Sequence, residues 1–456
     1  MPESTVQRCP GPRLSQAGRR ELLRFGLHGL TGLGLTQLLQ LRAQAAEQPG
    51  ASRKDTAVIL VWCHGGPSHL ETYDPKPEAP AEYRGPFGAI ETSLAGVRFS
   101  ELMPLQAKWM HRCALIRSVH HRGPCHDSGM QTLLSGKEQT VNRFAQPDHP
   151  DCFCITAQER SRPGDPVPVY VGMPPLAYSG PAYLGPACAP FVVGGNPNAP
   201  DFVVPNVALR EPGARERLGR RMRLLGSVDG VRRLYDEHSD ALARDQHYQA
   251  AVDLLTSSRA RTAFEIEREG TQSRDLYGRT QWGQQLLLAR RLVEAGVGVV
   301  SVSLNGIEKG MSSNWDDHAV NWDCFKAMQE RAPVFDRAVA ALLADLYDRG
   351  LDKRVLVIVT GEFGRTPKIS YAAGRPGRDH WPGAMSILLA GGGLRMGQVI
   401  GGTDARGEAP AERALHPNDF LATLYAHLGI DPRRELRDRS GRPIPILDRT
   451  EPIAEL

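Results

Sequence analysis

The chain has 456 residues, of which 41% are hydrophobic and 23% charged, and these values are ordinary for a soluble globular protein. Its formal net charge of +4 is small for this length, which argues against a nucleic-acid-binding protein that depends on phosphate contacts. The 47 glycines and 35 prolines predict many long loops. Such loops on an α/β scaffold commonly carry binding and catalytic residues.

Residues 1–50 show the order of features that is typical of an export signal followed by a linker. Arg19 and Arg20 precede a mildly apolar, glycine-rich run at 25–41, and Ala43-Gln44-Ala45 then offers a small-residue cleavage site. The twin arginine indicates the twin-arginine export pathway. We therefore expect a periplasmic or extracellular protein whose membrane contact is made only by this signal. The alternative is an ordinary amphipathic N-terminal helix.

Four short, continuously apolar runs predict strands that are buried on both faces of a sheet. They lie at 57–63, 298–304, 354–360 and 385–390. Helical patterns at 281–295 and 332–348 lie between several of them, as in a mainly parallel sheet covered by helices. We expect residues 51–456 to form a single α/β domain in which these four strands are neighbours, with a helical insertion near 208–280.

The first predicted strand ends in a glycine-rich polar segment, His64-Gly65-Gly66-Pro67-Ser68. This pattern favours a tight turn into a helix, with Ser68 near the helix N-terminus. Backbone N–H groups and the helix dipole would then favour negative charge beside the Ser68 hydroxyl. The simpler alternative is that Ser68 only caps that helix.

Three further loops place carboxylates, imidazoles and guanidinium groups next to predicted strands. They carry His126 with Asp127, then Asp316 with Asp317 and His318, and then Glu362, Arg365, Arg378, Asp379 and His380. Carboxylate and imidazole together suit Zn²⁺, Mn²⁺ or Fe, whereas carboxylates alone would suit Mg²⁺ or Ca²⁺. Any one of these side chains could simply make a buried hydrogen bond or salt bridge. Four such loops at one sheet edge favour a metal or anion site.

Several longer motifs between residues 55 and 447 resemble the DUF1501 family of exported proteins, which is common in planctomycetes. In chain order they are HGGPSHLETYDPKP, WDDH, LYDRGLDKRVLVIVTGEFGRTP, GRDHWP, LAGGGLRMGQVIGGTD and HPNDFLATLYAHLGID. The family is grouped by fold with the alkaline phosphatase/sulfatase superfamily. The resemblance therefore implies an alkaline phosphatase-like three-layer sandwich with a central, mainly parallel sheet.

The resemblance also implies roles for particular residues. Ser68 lies where the superfamily has its nucleophile, and Phe363 replaces a histidine that usually follows the residue at position 362. The ligand set is therefore only partial. The metal ligands that the resemblance implies are Asp316, His318, Glu362, Asp379 and His380.

Two functions fit these features. The first is a metal-dependent hydrolase of phosphate or sulfate esters, acting on a small molecule or a polysaccharide, with Zn²⁺ as the expected metal and Mn²⁺, Ca²⁺ or Mg²⁺ as alternatives. Ser68 would attack and Arg365 would clamp the oxyanion, while His64, His126 and Arg378 would bind substrate. The second is a non-catalytic exported binding protein, for example for sulfated polysaccharide. For the first function we expect the five ligands in one pocket with Ser68 at its edge.

Replacing Arg19 and Arg20 together by lysine should keep the protein in the cytoplasm of a host that has the twin-arginine pathway, because the pathway reads this arginine pair. Cell fractionation followed by immunoblotting measures the effect. The matched control changes Arg8 and Arg13 to lysine and should leave export intact. Unchanged delivery of the Arg19/Arg20 variant would contradict the export signal.

Overall fold

A computed structural model describes residues 55–139, 147–162, 165–204, 217, 220, 257–306 and 314–456. Within them, the strands are β1 Ala57–Trp62, β2 Ala89–Glu91, β3 Arg98–Ser100, β4 Cys113–Val119, β5 Tyr170–Met173, β6 Phe191–Val192, β7 Val299–Ser303, β8 Val355–Thr360, β9 Gly364–Arg365, β10 Ser370–Ala372, β11 Arg375–Gly377, β12 His380–Trp381, β13 Met385–Gly391, β14 Gln398–Ile400, β15 Gly402–Thr403, β16 Pro410–Glu412, β17 Glu435–Arg437 and β18 Pro443–Pro445. In the same residues, the α-helices are α1 Ala81–Arg84, α2 Pro104–Ala107, α3 His126–Ser135, α4 Cys152–Arg160, α5 Ser258–Phe264, α6 Thr271–Leu276, α7 Gln281–Glu294, α8 Cys324–Asp348 and α9 Pro417–Leu428.

An eight-stranded sheet lies at the centre of the described residues, in the order β14-β4-β13-β8-β1-β7-β5-β6. The four strands predicted from the apolar runs are β1, β7, β8 and β13, and they are consecutive neighbours, which confirms that prediction. All pairings are parallel except those of β13, which runs antiparallel to both β4 and β8. The sheet is therefore mainly parallel, as expected.

The alternation of side chains along β1 explains why helices cover both faces of the sheet. All six β1 residues are buried. Ile59 and Val61 belong to one apolar core, which includes side chains of α7 and α8. Leu60 and Trp62 belong to a second core, which includes side chains of α3, α4 and α9. Successive side chains of a strand point to opposite faces, so the result is a three-layer α/β/α arrangement.

The reversed strand β13 brings its preceding loop to the functional edge of the sheet. Residues after β1 and β8 leave the carboxyl ends of parallel strands, whereas Asp379 and His380 come before β13. Because β13 runs antiparallel to β8, its amino end lies at the same edge as the carboxyl end of β8. The two-residue ladder between β12 and β9 then pairs His380 with Arg365.

Some local predictions differ from the structure. The chain after His64 forms turns and no helix up to Asp74, so Ser68 is not at a helix N-terminus. The helix predicted at 332–348 begins earlier, at Cys324, where the Asp323 side chain accepts hydrogen bonds from the Phe325 and Lys326 amides. Most of the expected helical insertion lies outside the described residues. No helix among the described residues combines the length and apolarity that a membrane span needs.

Gly377 packs directly against the backbone of the loop that carries His318. A Cβ at position 377 would lie 1.9 Å from the Ala319 nitrogen. Gly377→Ala should therefore push this loop away from its neighbour and lower the free energy of unfolding by about 1–3 kcal/mol. Urea denaturation measures the change. Gly270→Ala is the matched control, since a Cβ at that position meets nothing within 4 Å, and equal effects of the two changes would contradict this packing.

Candidate metal centre

Three imidazoles converge on the carboxylate of Asp316. His126 Nε2 lies 3.1 Å from Asp316 Oδ2. His318 Nε2 and His380 Nε2 lie 2.9 and 3.2 Å from Asp316 Oδ1, and these two nitrogens are 3.1 Å apart. The four side chains are each 20–25% exposed, so the cluster is reachable from solvent.

The outer nitrogen of each imidazole faces a group that can only accept a hydrogen bond. His126 Nδ1 lies 2.6 Å from Glu362 Oε1, and His318 Nδ1 lies 2.6 Å from Asp379 Oδ1. His380 Nδ1 lies 3.1 Å from the carbonyl oxygen of Pro124. Each Nδ1 therefore carries a proton and donates it in a hydrogen bond. In the metal-free protein a doubly protonated ring also donates from Nε2 to Asp316, and loss of that second proton leaves on Nε2 a lone pair that could bind a metal. Histidine ligands of metals are held in this way.

This donor set fits a divalent metal. One ligand atom each from His126, Asp316 and His380 lies within 4.8 Å of the others. His318 Nε2 is near Asp316 and His380 but is not one of this compact group of three. Three imidazoles and one carboxylate suit Zn²⁺ and related transition metals better than Ca²⁺ or Mg²⁺, which prefer oxygen ligands. The residues present could thus hold a single ion.

The carboxylates and imidazoles of the centre depend on one another electrostatically. Burial disfavours the charged form of Asp316, but hydrogen bonds from His126, His318 and His380, together with Arg365, hold its pKa well below the usual range. Burial also opposes charge on His126, yet hydrogen bonds to Asp316 and Glu362 raise the pKa of His126 to about 9. The hydrogen bond to Asp316 raises the pKa of His318, whereas burial lowers the pKa of His380.

Glu362 supports the centre from behind His126. Its side chain is 0% exposed, and Oε1 accepts hydrogen bonds from His126 Nδ1 and, at 2.9 Å, from the Gly65 amide. Its second oxygen, Oε2, is buried without a hydrogen-bond partner among the described residues. Glu362 and Asp379 were both expected as ligands, but in the structure they accept hydrogen bonds from Nδ1 of His126 and His318 and so orient these rings. His126 was expected to bind substrate, but its Nε2 faces Asp316, where a metal ligand would lie.

Arg365 is fixed beside Asp316 and is 3% exposed. Its Nη2 donates to Asp316 Oδ1 at 2.7 Å and to the Gly65 carbonyl. Its Nε donates to the Gly66 carbonyl at 3.0 Å and its Nη1 to the Arg378 carbonyl at 3.1 Å. The remaining N–H faces His318 Nε2 at 3.5 Å. No N–H group of Arg365 is left to clamp a substrate oxyanion in this geometry, unlike the role expected from the sequence.

Arg378 lies outside the cluster. It is 1% exposed, and its guanidinium donates to Glu71 at 2.7 Å and to the carbonyls of Tyr83, Thr366 and Pro367. These contacts tie two loops together, so the structure gives no support to the expectation that Arg378 binds substrate. The sequence placed Arg378 in the loop before the apolar run at 385–390, but it did not show in which direction the side chain points.

Ser68 and His64 belong to the segment that follows β1, at the same edge of the sheet as the cluster. The Ser68 hydroxyl is buried and has no hydrogen-bond partner among the described residues, so it does not bond to the imidazoles or to Asp316. The His64 ring stacks 6.0 Å from the His126 ring and 6.4 Å from that of Tyr178. His64 thus extends the wall of the centre between His126 and Tyr178.

Phe363 was not singled out as a functional residue, yet it forms one wall of the centre. Its ring centroid lies 4.5 Å from that of His380 and 5.4 Å from that of His126. A Cβ at Gly66 or Gly129 would lie within 3 Å of this ring. The glycine pair at 65–66 was the available sequence signal, since it allows a backbone to approach a side chain this closely.

Comparison with known proteins places this chain. A family model described as "Protein of unknown function (DUF1501)" matches residues 55–456. The chain belongs to the DUF1501 family. No curated protein matches it.

Solved structures similar to this DUF1501 chain include three enzymes of different description. The PsFucS1 sulfatase from Pseudoalteromonas sp. is 11% identical with a TM-score of 0.39, and the match covers 87% of this chain and 70% of that chain. The lipoteichoic acid synthase LtaP from Listeria monocytogenes is 11% identical with a TM-score of 0.33, and the match covers 87% of this chain and 76% of that chain. The phosphonate monoester hydrolase SpPMH from Silicibacter pomeroyi is 10% identical with a TM-score of 0.36, and the match covers 83% of this chain and 74% of that chain. At these values the similarities say nothing about the chemistry of this chain.

The metal-free protein should lose stability as the pH rises from about 6.5 to about 9. The folded state raises the pKa of His126 from its ordinary 6.5 to about 9. Protonation therefore favours folding, fully so below pH 6.5 and no longer above the folded pKa. Thermal unfolding of chelator-treated protein at several pH values measures this.

His126→Gln should weaken this pH dependence, because His126 is gone and, of the histidines in the cluster, only His318 keeps a raised pKa. The exposed His111 serves as the control, and His111→Gln should behave as wild type. A wild-type melting temperature that is constant or rises across this window would contradict the charge assignment of the cluster.

Proposed function

We propose that this DUF1501 protein is a metal-dependent hydrolase of phosphate or sulfate esters. The observation that carries the proposal is the convergence of His126, His318 and His380 on Asp316, with an acceptor behind each ring. The cluster is partly open to solvent, as a site that exchanges substrate and product must be. A divalent metal, with Zn²⁺ first and Mn²⁺ as the main alternative, would supply Lewis acidity at the reacting oxygen.

The protein's own residues would orient and shield the reaction. Glu362 and Asp379 hold two imidazoles in the ligand tautomer, and Phe363 keeps water from one side of the centre. Ser68 stays the candidate nucleophile on the sequence motif, with its hydroxyl not committed to another described group. The substrate would be a small-molecule or polysaccharide ester, reaching a protein exported by the signal at 1–50.

A second candidate function is a non-catalytic exported protein that binds a sulfated polysaccharide. Two observations favour it: the guanidinium groups of Arg365 and Arg378 make their hydrogen bonds inside the protein, and the Ser68 hydroxyl has no hydrogen-bond partner among the described residues that could act as a base. A protein with this arrangement would keep the metal centre and lack turnover.

Asp316→Asn should lower turnover of p-nitrophenyl phosphate or p-nitrophenyl sulfate by at least about 100-fold, because the carboxylate is shared by all three imidazoles. Steady-state release of p-nitrophenol measures the effect, and metal analysis of the same samples should show lost metal. The exposed Asp431 supplies the matched control, Asp431→Asn, which should keep both properties.

Ser68→Ala separates the proposed nucleophile from the metal centre. Turnover should be lost while metal content is retained, since Ser68 does not bond to the cluster. If the wild-type protein holds metal but cleaves neither ester, and it retains sulfated polysaccharide in a binding assay, the second candidate replaces the first.

A further inference from the structure

We infer that Arg365 is a built-in counter-cation that limits the centre to one divalent ion and weakens the binding of that ion. The inference rests on the proposed metal centre and concerns the number of ions and their affinity. It assigns to Arg365 an electrostatic role toward the metal in place of a contact with substrate.

The two oxygens of the Asp316 carboxylate have different neighbours. Oδ2 faces His126 Nε2 at 3.1 Å. Oδ1 faces His318 Nε2, His380 Nε2 and the Arg365 guanidinium, the last at 2.7 Å. A carboxylate with nitrogen donors on both sides is an arrangement that could bridge a pair of metal ions about 3.5–4 Å apart. In this protein a guanidinium takes up part of the Oδ1 side.

Arg365 cannot readily leave this position. Its guanidinium stays charged at any ordinary pH, and its side chain is 3% exposed. Hydrogen bonds to the carbonyls of Gly65, Gly66 and Arg378 fix it from three directions, in addition to Asp316. Moving it away would leave three buried carbonyl oxygens without their donor, which is costly.

The formal charges of the centre balance with a single divalent ion. The carboxylates are Asp316, Glu362 and Asp379, and the cation is Arg365. With the three imidazoles neutral, as metal ligands are, the three carboxylates, one guanidinium and one divalent ion sum to zero. A second divalent ion would leave an excess of two positive charges in a partly buried cluster, next to a guanidinium that cannot move. The same repulsion weakens the binding of the first ion.

Manganese titration of the wild-type protein tests the ion number. Chelator-treated protein should bind one Mn²⁺ per chain, even at large excess, and its electron paramagnetic resonance spectrum should show isolated ions. Two ions per chain with a spin-coupled signal would overturn the inference. Absence of any bound metal, with Zn²⁺ tried in parallel, would overturn the proposed metal centre itself and the inference with it.

Substitution of Arg365 tests the affinity. Arg365→Met removes the charge with little change in size and should tighten Mn²⁺ binding on the order of ten- to hundred-fold by calorimetry, because a cation beside the ion is gone. Arg365→Lys keeps the charge and should stay within a few-fold of wild type. Unchanged affinity in a folded Arg365→Met protein would overturn the inference.

A control separates the loss of charge at the centre from the general loss of a buried guanidinium. Arg290 is 2% exposed and pairs with Glu269, Glu294 and Asp345, which are not part of the metal cluster. Arg290→Met should leave Mn²⁺ affinity unchanged, and an equal tightening there would overturn the inference. If Arg365→Met does not fold, the ion number of the wild-type protein decides alone.

Discussion

The arrangement of the centre depends on the attraction between the Asp316 carboxylate and the basic groups around it. This carboxylate accepts hydrogen bonds from three imidazoles and one guanidinium. His318 comes from the same loop as Asp316, Arg365 and His380 come from the stretch between β8 and β13, and His126 comes from the start of α3. Without the negative charge of Asp316, the buried guanidinium of Arg365 would lose its carboxylate partner, and only Glu362 would remain to raise the pKa of His126. Because the carboxylate is negative, these positive groups can lie together in a cluster that water only partly reaches.

The fold supplies the positions for this cluster through the direction of one strand. The parallel strands β1 and β8 place Gly65 and Glu362 at their carboxyl ends, and the reversed β13 returns His380 to the same edge. Helix α3 begins at His126, so the first helical residue points a ring into the centre. The sheet thus fixes the backbone, and acceptors behind each ring fix the side chains.

Part of this arrangement could be predicted from the sequence. Continuous apolar runs identified the four central strands and their adjacency, because burial on both faces demands such runs. Polar residues beside those strands identified Asp316, His318 and His380, which the structure does bring together. The direction of β13 was not predictable, because an apolar run has the same pattern in either orientation.

The roles of individual side chains could not be obtained in this way. Spacing along the chain did not show that Glu362 and Asp379 would lie behind histidines, or that His126 would face Asp316. Nor did it show that Arg365 and Arg378 would spend their N–H groups on backbone carbonyls and acidic partners inside the protein. Such roles depend on which acidic group pairs with which basic group, and tertiary contacts decide this pairing. His126 and Glu362, for example, are more than 200 residues apart in sequence.

X-ray absorption spectroscopy of the zinc-loaded protein is the most direct measurement of the central claim. We expect nitrogen and oxygen neighbours at about 2.0–2.1 Å with the multiple-scattering pattern of three imidazoles. Asp316→Asn should disturb that spectrum. A zinc ion surrounded only by oxygen, or by sulfur, or a spectrum that Asp316→Asn leaves unchanged, would contradict a centre built from His126, His318, His380 and Asp316.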